Sequence, residues 1–262
     1  MKTMIRKTIV LAVLSAMSFP LFAQDTNAPL PTIGLILQRV VERVKKESDN
    51  DRAFDERYSY LRTKVTEYRN SAGELKKHEE KSSVHDPPAA KHSQPDAAKS
   101  NPDSEKSEAV SDTHSNVRGK QFKRDDFLLN QDLVRRFQFT LAGRELIGGR
   151  PALTIDFVPV SKKMPERNLK DRFINKAAGR VWVDEADYCL VKADVHLTQK
   201  VSVGFGLVGA VWKFDYGFER ERTDDGLWFT RGVNWHLEGR EVVFNRKVDY
   251  HEKMIDIRRT AS

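Results

Sequence analysis

From Phe137 to the C-terminus the chain alternates apolar and polar residues with a period of two. Successive side chains of a strand point to opposite faces, so the pattern predicts strands with one apolar and one polar face. Phe137, Phe139 and Leu141 alternate first. Gly148-Gly149 then makes a turn, and Leu153, Ile155 and Phe157 follow with Thr154 and Asp156 on the other face. Val181 and Val183 continue the series, then Cys189, Val191, Ala193, Val195 and Leu197. Val201, Val203, Phe205 and Leu207 share one parity, and Val208, Ala210, Trp212, Phe214, Tyr216 and Phe218 the opposite one. That change predicts a bulge or tight bend at Leu207/Val208. Asp224-Asp225-Gly226 reads as a hairpin turn, Leu227 to Leu237 as a strand, Glu238-Gly239 as a turn and Val242 to Tyr250 as the closing strand.

Nearer the N-terminus the period is different. Ile33, Leu37, Val40, Val41 and Val44 recur at helical spacing, with Pro29 and Pro31 before them and Asp49-Asn50-Asp51 after them, which predicts one amphipathic helix. A hairpin is expected next, from Tyr58 to Tyr68, around Asn70-Ser71-Ala72-Gly73, and back along a charged strand from Leu75 to Val84. A shorter helix is expected over Asp125 to Arg136. The fold class is therefore mainly β, of α+β type: one or two helices and a long antiparallel meander. A sheet with one apolar face must bury it by closing on itself or under helices. With so few helices, an incompletely covered concave face leaves an apolar hollow able to take a ligand. The residues expected to line it are Leu37 and Val40 from the helix, Phe137, Phe139, Leu153, Ile155, Phe157, Val181 and Val183 from the first strands, and Trp212, Phe214 and Trp235 from the later ones.

Two segments read as lying outside the fold. Residues 1–23 have the plan of a secretory signal peptide: Lys2, Arg6 and Lys7, an apolar run from Thr8 to Met17, Pro20, and Leu21-Phe22-Ala23 before a cut at Gln24. The run is short for a spanning helix, and a retained anchor is the weaker reading. No Cys lies near the cut, so a lipid anchor there is excluded. The expected location is the periplasm. Asp86 to Asn116 holds four prolines and no aromatic residue, too little apolar surface to offset its ordering entropy. It reads as a disordered insertion within a single domain spanning 24–262, in preference to a linker between two domains.

Composition narrows the function classes. The 262 residues carry a formal charge of +7, of which Lys2, Arg6 and Lys7 in the leader account for three, leaving +4. Little then supports a nucleic-acid partner. One Cys excludes a disulfide framework or a Cys-rich metal site, and Cys189 reads as a small core residue. The mean hydropathy of −0.60 is low for a packed domain and owes much to the insertion and the polar sheet face.

Several short motifs lack the context their chemistry needs. Gly204 to Gly209 matches GxGxxG, but a strand follows where a dinucleotide site needs a helix. His251-Glu252 lacks the second His of a zinc-protease helix, and His196 and His236 sit within strands. No metal or cofactor is expected. No GxSxG is present, and Ser202 reads as a polar-face serine. Asp184, Glu185 and Asp187 could do acid–base work, yet Asp is ordinary turn chemistry. The chain is therefore expected not to be an enzyme. The basic run Lys162, Lys163, Arg167, Lys170, Arg172 and Lys176 falls in a long loop, Ser161 to Gly179, that could meet anionic headgroups or an acidic partner, or simply be solvated.

Gly179-Arg180-Val181-Trp182-Val183-Asp184, the turn after it, and Cys189-Leu190-Val191-Lys192 resemble the strand–turn–strand of the LolA-like exported bacterial proteins. Leu146-Ile147-Gly148-Gly149-Arg150-Pro151, the stretch Leu153 to Pro159 and Gly226-Leu227-Trp228 are similar to other elements of that group. Phe229-Thr230 departs from it where a Pro usually stands. The resemblance spans about residues 137–256, is weaker over 31–85 and is absent over the insertion. It implies an open, curved antiparallel half-barrel whose hollow, covered by helices, receives acyl chains, and it brings no catalytic residues. The expected function is a non-enzymatic periplasmic carrier of lipid or lipoprotein acyl chains. The chain would be a monomer that meets inner- or outer-membrane protein partners, and the helix over 31–49 would swing aside for exchange. The rival is an RseB-type periplasmic sensor or scaffold that binds an envelope protein through the sheet edge or the loop 161–178.

Overall fold

The computed structural model describes residues 29–87, 115–117, 120–122, 130–203, 209–241 and 244–260. The signal peptide, the expected bend at Leu207/Val208 and nearly all of the insertion lie outside these residues. Two helices come first, α1 (Ile33–Val44) and α2 (Glu47–Arg57). They are followed by β1 (Tyr58–Arg69), β2 (Leu75–His85), the small pair β3 (Ser115–Val117) and β4 (Lys120–Phe122), and the single turn α3 (Gln131–Val134). Next are β5 (Phe137–Ile147), β6 (Arg150–Pro159), α4 (Leu169–Ile174), β7 (Ala177–Asp184) and β8 (Leu190–Leu197). The chain ends with β9 (Val201–Val203), β10 (Gly209–Arg222), β11 (Trp228–Glu241) and β12 (Phe244–Arg259).

Ten strands form one antiparallel sheet in the order β2-β1-β12-β11-β10-β8-β7-β6-β5, with β9 also paired to β10. The sheet is open: β2 and β5 stand at opposite ends of the order. This is the mainly β, antiparallel architecture that the alternation predicts. Gly148 and Gly149 have φ of 56° and 78°, the conformation a two-residue hairpin turn requires, and join β5 to β6.

α1 lies over the strands that follow the insertion. The Thr32 hydroxyl caps it by accepting from the Leu35 amide, and Ile36 and Val40 pack on Leu153, Ile155 and Val183 in a sealed cluster. α2 is not predicted by the apolar pattern, in which Asp49-Asn50-Asp51 ends the helix. Its sequence, ESDNDRAFDER, holds one large apolar residue. It is fixed by distant contacts instead. The Asn50 amide nitrogen donates to the Trp228 carbonyl at 2.6 Å, and its oxygen accepts from the Trp228 amide at 3.0 Å. Phe54 stacks on Tyr58, Tyr60 and Phe229 at 5.0, 5.6 and 5.1 Å.

Three further expectations change. Of the helix expected over 125–136, residues 125–129 lie outside the described residues, and the described part is the single turn 131–134, capped by the Asn130 side chain. The loop 161–179 contains α4, capped by Asn168. Glu238-Gly239 is not a turn, because β11 runs straight through it. A Cβ at Gly239 would lie 2.7 Å from the Ala210 carbonyl oxygen, so the glycine permits close strand approach rather than reversal.

A candidate apolar hollow

The sheet and α1 enclose a hollow of about 260 Å³. Its helical wall carries Leu37, Val40, Arg43 and Val44, and the strands facing it carry Phe137, Phe139, Ile155, Phe157, Val181 and Val183. β10 and β11 add Phe214, Tyr216, Phe218, Val233 and Trp235, and α3 and α4 add Leu133, Phe173 and Ile174. Aromatic rings therefore make up much of the surface. Phe137 meets Phe157 edge-on at 5.1 Å, Phe173 meets Phe214 at 5.9 Å, and Trp235 stacks on Tyr250 at 5.3 Å.

Ten of the twelve residues named from the sequence line this space: Leu37, Val40, Phe137, Phe139, Ile155, Phe157, Val181, Val183, Phe214 and Trp235. Leu153 faces the same way but is sealed under α1 with no exposed surface. Trp212 is outside. The β10–β11 register shifts between Val211 and Lys213, so Trp212 is the extra residue of a bulge. Val211 turns inward to pack on Phe173 and Val201, while Trp212 is 42% exposed. Period-two counting across the bulge assigns it to the wrong face.

One end of the hollow is charged, which the apolar pattern does not reveal. Arg220 continues the inward stripe of Tyr216 and Phe218, and Thr230 stands opposite it on β11. Its guanidinium is buried and pairs with the buried Glu47 carboxylate at 2.7 Å. It also donates to the Cys189 Sγ at 3.1 Å. Burial pushes the Cys189 thiol up to about 12, against the pull of the Arg220 charge. Arg43 shares this end. The signal was available, since positions 214, 216, 218 and 220 share one parity, but a charged residue reads as the end of a stripe.

The carboxylates considered for acid–base work are all engaged in ion pairs. Asp184 takes a two-pronged bond from Arg150 and caps the turn amides of Ala186 and Asp187. Glu185 pairs with Arg144, and Asp187 accepts from Trp228 Nε1 and pairs with Arg222. In the basic loop, Arg172 donates to the Ser202 carbonyl and Lys176 to the Lys200 carbonyl.

No family model and no curated protein sequence matches the chain. Solved structures do. The chain is similar to a domain assigned to the outer membrane lipoprotein-sorting proteins, from Vibrio parahaemolyticus, at 10% identity and a TM-score of 0.33, over 86% of this chain and 94% of that one. It is similar to a LolA superfamily protein from Nitrosomonas europaea at 8% identity and a TM-score of 0.31, over the same shares. It is also similar to a chain of the MucA/MucB complex of Pseudomonas aeruginosa at 11% identity and a TM-score of 0.25, over 87% and 98%. No residue role is carried from these structures to this chain.

Proposed function

We propose that this protein is a carrier that binds a lipid or lipoprotein acyl chain in the hollow between α1 and the sheet, and that it works in the periplasm. The single observation behind this is the hollow itself, whose wall is aliphatic and aromatic except at the Arg220 end and at the exposed His196. Each CH₂ moved from water into such a space contributes about 0.8 kcal/mol, less what is spent ordering the chain. The location rests on the leader-like residues 1–23. Among the described residues no helix is long and apolar enough to cross a membrane. Entry would need α1 to move off the sheet.

A protein-binding sensor has less in its favour. The β2 edge is dense in Lys and Glu, and part of the basic loop is tied to backbone carbonyls. Adding the purified chain to N-phenyl-1-naphthylamine tests the carrier reading. The dye's fluorescence is expected to rise, and Val233→Arg, which fills the hollow, is expected to abolish the rise with the circular dichroism spectrum retained. A silent wild-type chain, with no lipid released from it into organic solvent for mass spectrometry, overturns the reading.

A further inference from the structure

The charged end of the hollow has an unbalanced cation. Arg220, Glu47 and Arg43 line it, two positive groups against one negative. Glu47 is committed to Arg220 at 2.7 Å. Asp51, at 4.0 Å from the same guanidinium, does not line the hollow. Arg43, half-buried in the last turn of α1, makes no ion pair among the described residues. Arg220 and Glu47 are buried together, with side chains 5% and 7% exposed. A hydrocarbon drawn in here would cover the Arg43 charge, which is unfavourable. A negatively charged oxygen there would pair with Arg43, and hydrogen bonds between ionised groups are the stronger kind.

We propose that the ligand is a single-chain amphiphile with an anionic head, a carboxylate or a phosphate monoester, held by Arg43 beside the buried Arg220–Glu47 pair. The inference rests on the carrier reading and names the chemistry of its cargo. The tail lies along β10 and β11 toward Phe214 and Trp235. Arg220 to Phe214 is six residues of strand, about 20 Å at roughly 3.3 Å per residue, a long acyl tail's length. At about 260 Å³ the hollow lies just below the usual range for ligand pockets, about 300–1,000 Å³, which favours one tail over two. The head sits where α1 gives way to α2, beside the Arg220–Glu47 pair at the end of β10.

Displacement of bound N-phenyl-1-naphthylamine from the full chain by hexadecanoate, hexadecyl phosphate and 1-hexadecanol tests this. The better anion is expected to displace the dye at a concentration about tenfold below that of the alcohol, the usual effect of one charged hydrogen bond. Which anion is better identifies the head as carboxylate or phosphate. Arg43→Gln is expected to bring the anion-to-alcohol ratio close to one, and Arg43→Lys to keep most of it. Arg39→Gln, on the exposed face of the same helix, is expected to leave the ratio as it is. An alcohol that displaces as well as both anions, or an unchanged ratio in Arg43→Gln, overturns the proposal and leaves the carrier reading standing. A wild-type chain that binds no dye overturns both.

Discussion

Cys189 has no exposed surface and sits between the Arg220 guanidinium and the Glu47 carboxylate, whose oxygen is 3.8 Å from the sulfur. The thiolate is the reactive form, so a thiol held neutral by burial is inert. At pH 8 a disulfide reagent is expected to label Cys189 only as fast as the protein unfolds, and at once in denaturant. The same displacement gives a pH dependence. Between the ordinary thiol value of 9.0 and the folded value of about 12, the unfolded chain has lost its proton and the folded one has not. Stability contributed by the neutral thiol is whole below pH 9 and declines as pH rises toward 12. The advantage of the wild type over Cys189→Ala in urea unfolding is therefore expected to shrink from pH 9 to pH 11. An advantage constant over that range would mean the thiol is not held neutral.

The same kind of close constraint operates between strands. In β7, a Cβ at Gly179 would lie 2.1 Å from the Asp194 carbonyl oxygen and 2.9 Å from the Val195 Cα. Gly179→Ala is expected to force β7 and β8 apart, at a loss of about 1–3 kcal/mol read from the urea midpoint. An unchanged midpoint would show that the strands do not meet there. Elements with regular internal periods were legible in the sequence: α1 from its apolar stripe, the β1–β2 hairpin, and the strands β5 to β8. α2 was not, because Asn50 and Phe54 dock on Trp228 and Phe229, far outside any local window. Trp212 was misplaced because a period of two cannot say which residue of a bulge is the extra one. The apolar lining of the hollow could be read from strand parity, while its charged end required knowing that the first turn of α2 meets the end of β10.

Among the described residues the main strand order ends at β2 and β5, and the β2 edge is eleven residues long and largely exposed. Lys76, Lys77 and Lys81 stand on it among glutamates, and such charges discourage edge-to-edge pairing. Replacing all three by Thr is expected to raise concentration-dependent aggregation read by light scattering, and a triple variant that scatters as the wild type does would remove that role from the lysines. The order of the sheet has another consequence. β1 lies between β2 and β12, so the first hairpin made has no neighbour to join until the last strand exists. Asn50 likewise waits for Trp228, 178 residues later. Contacts that close such long loops make folding slow, on the order of milliseconds to seconds. During synthesis the sheet cannot be completed until the chain is nearly finished, so any machinery that needs it extended has that whole interval in which to act.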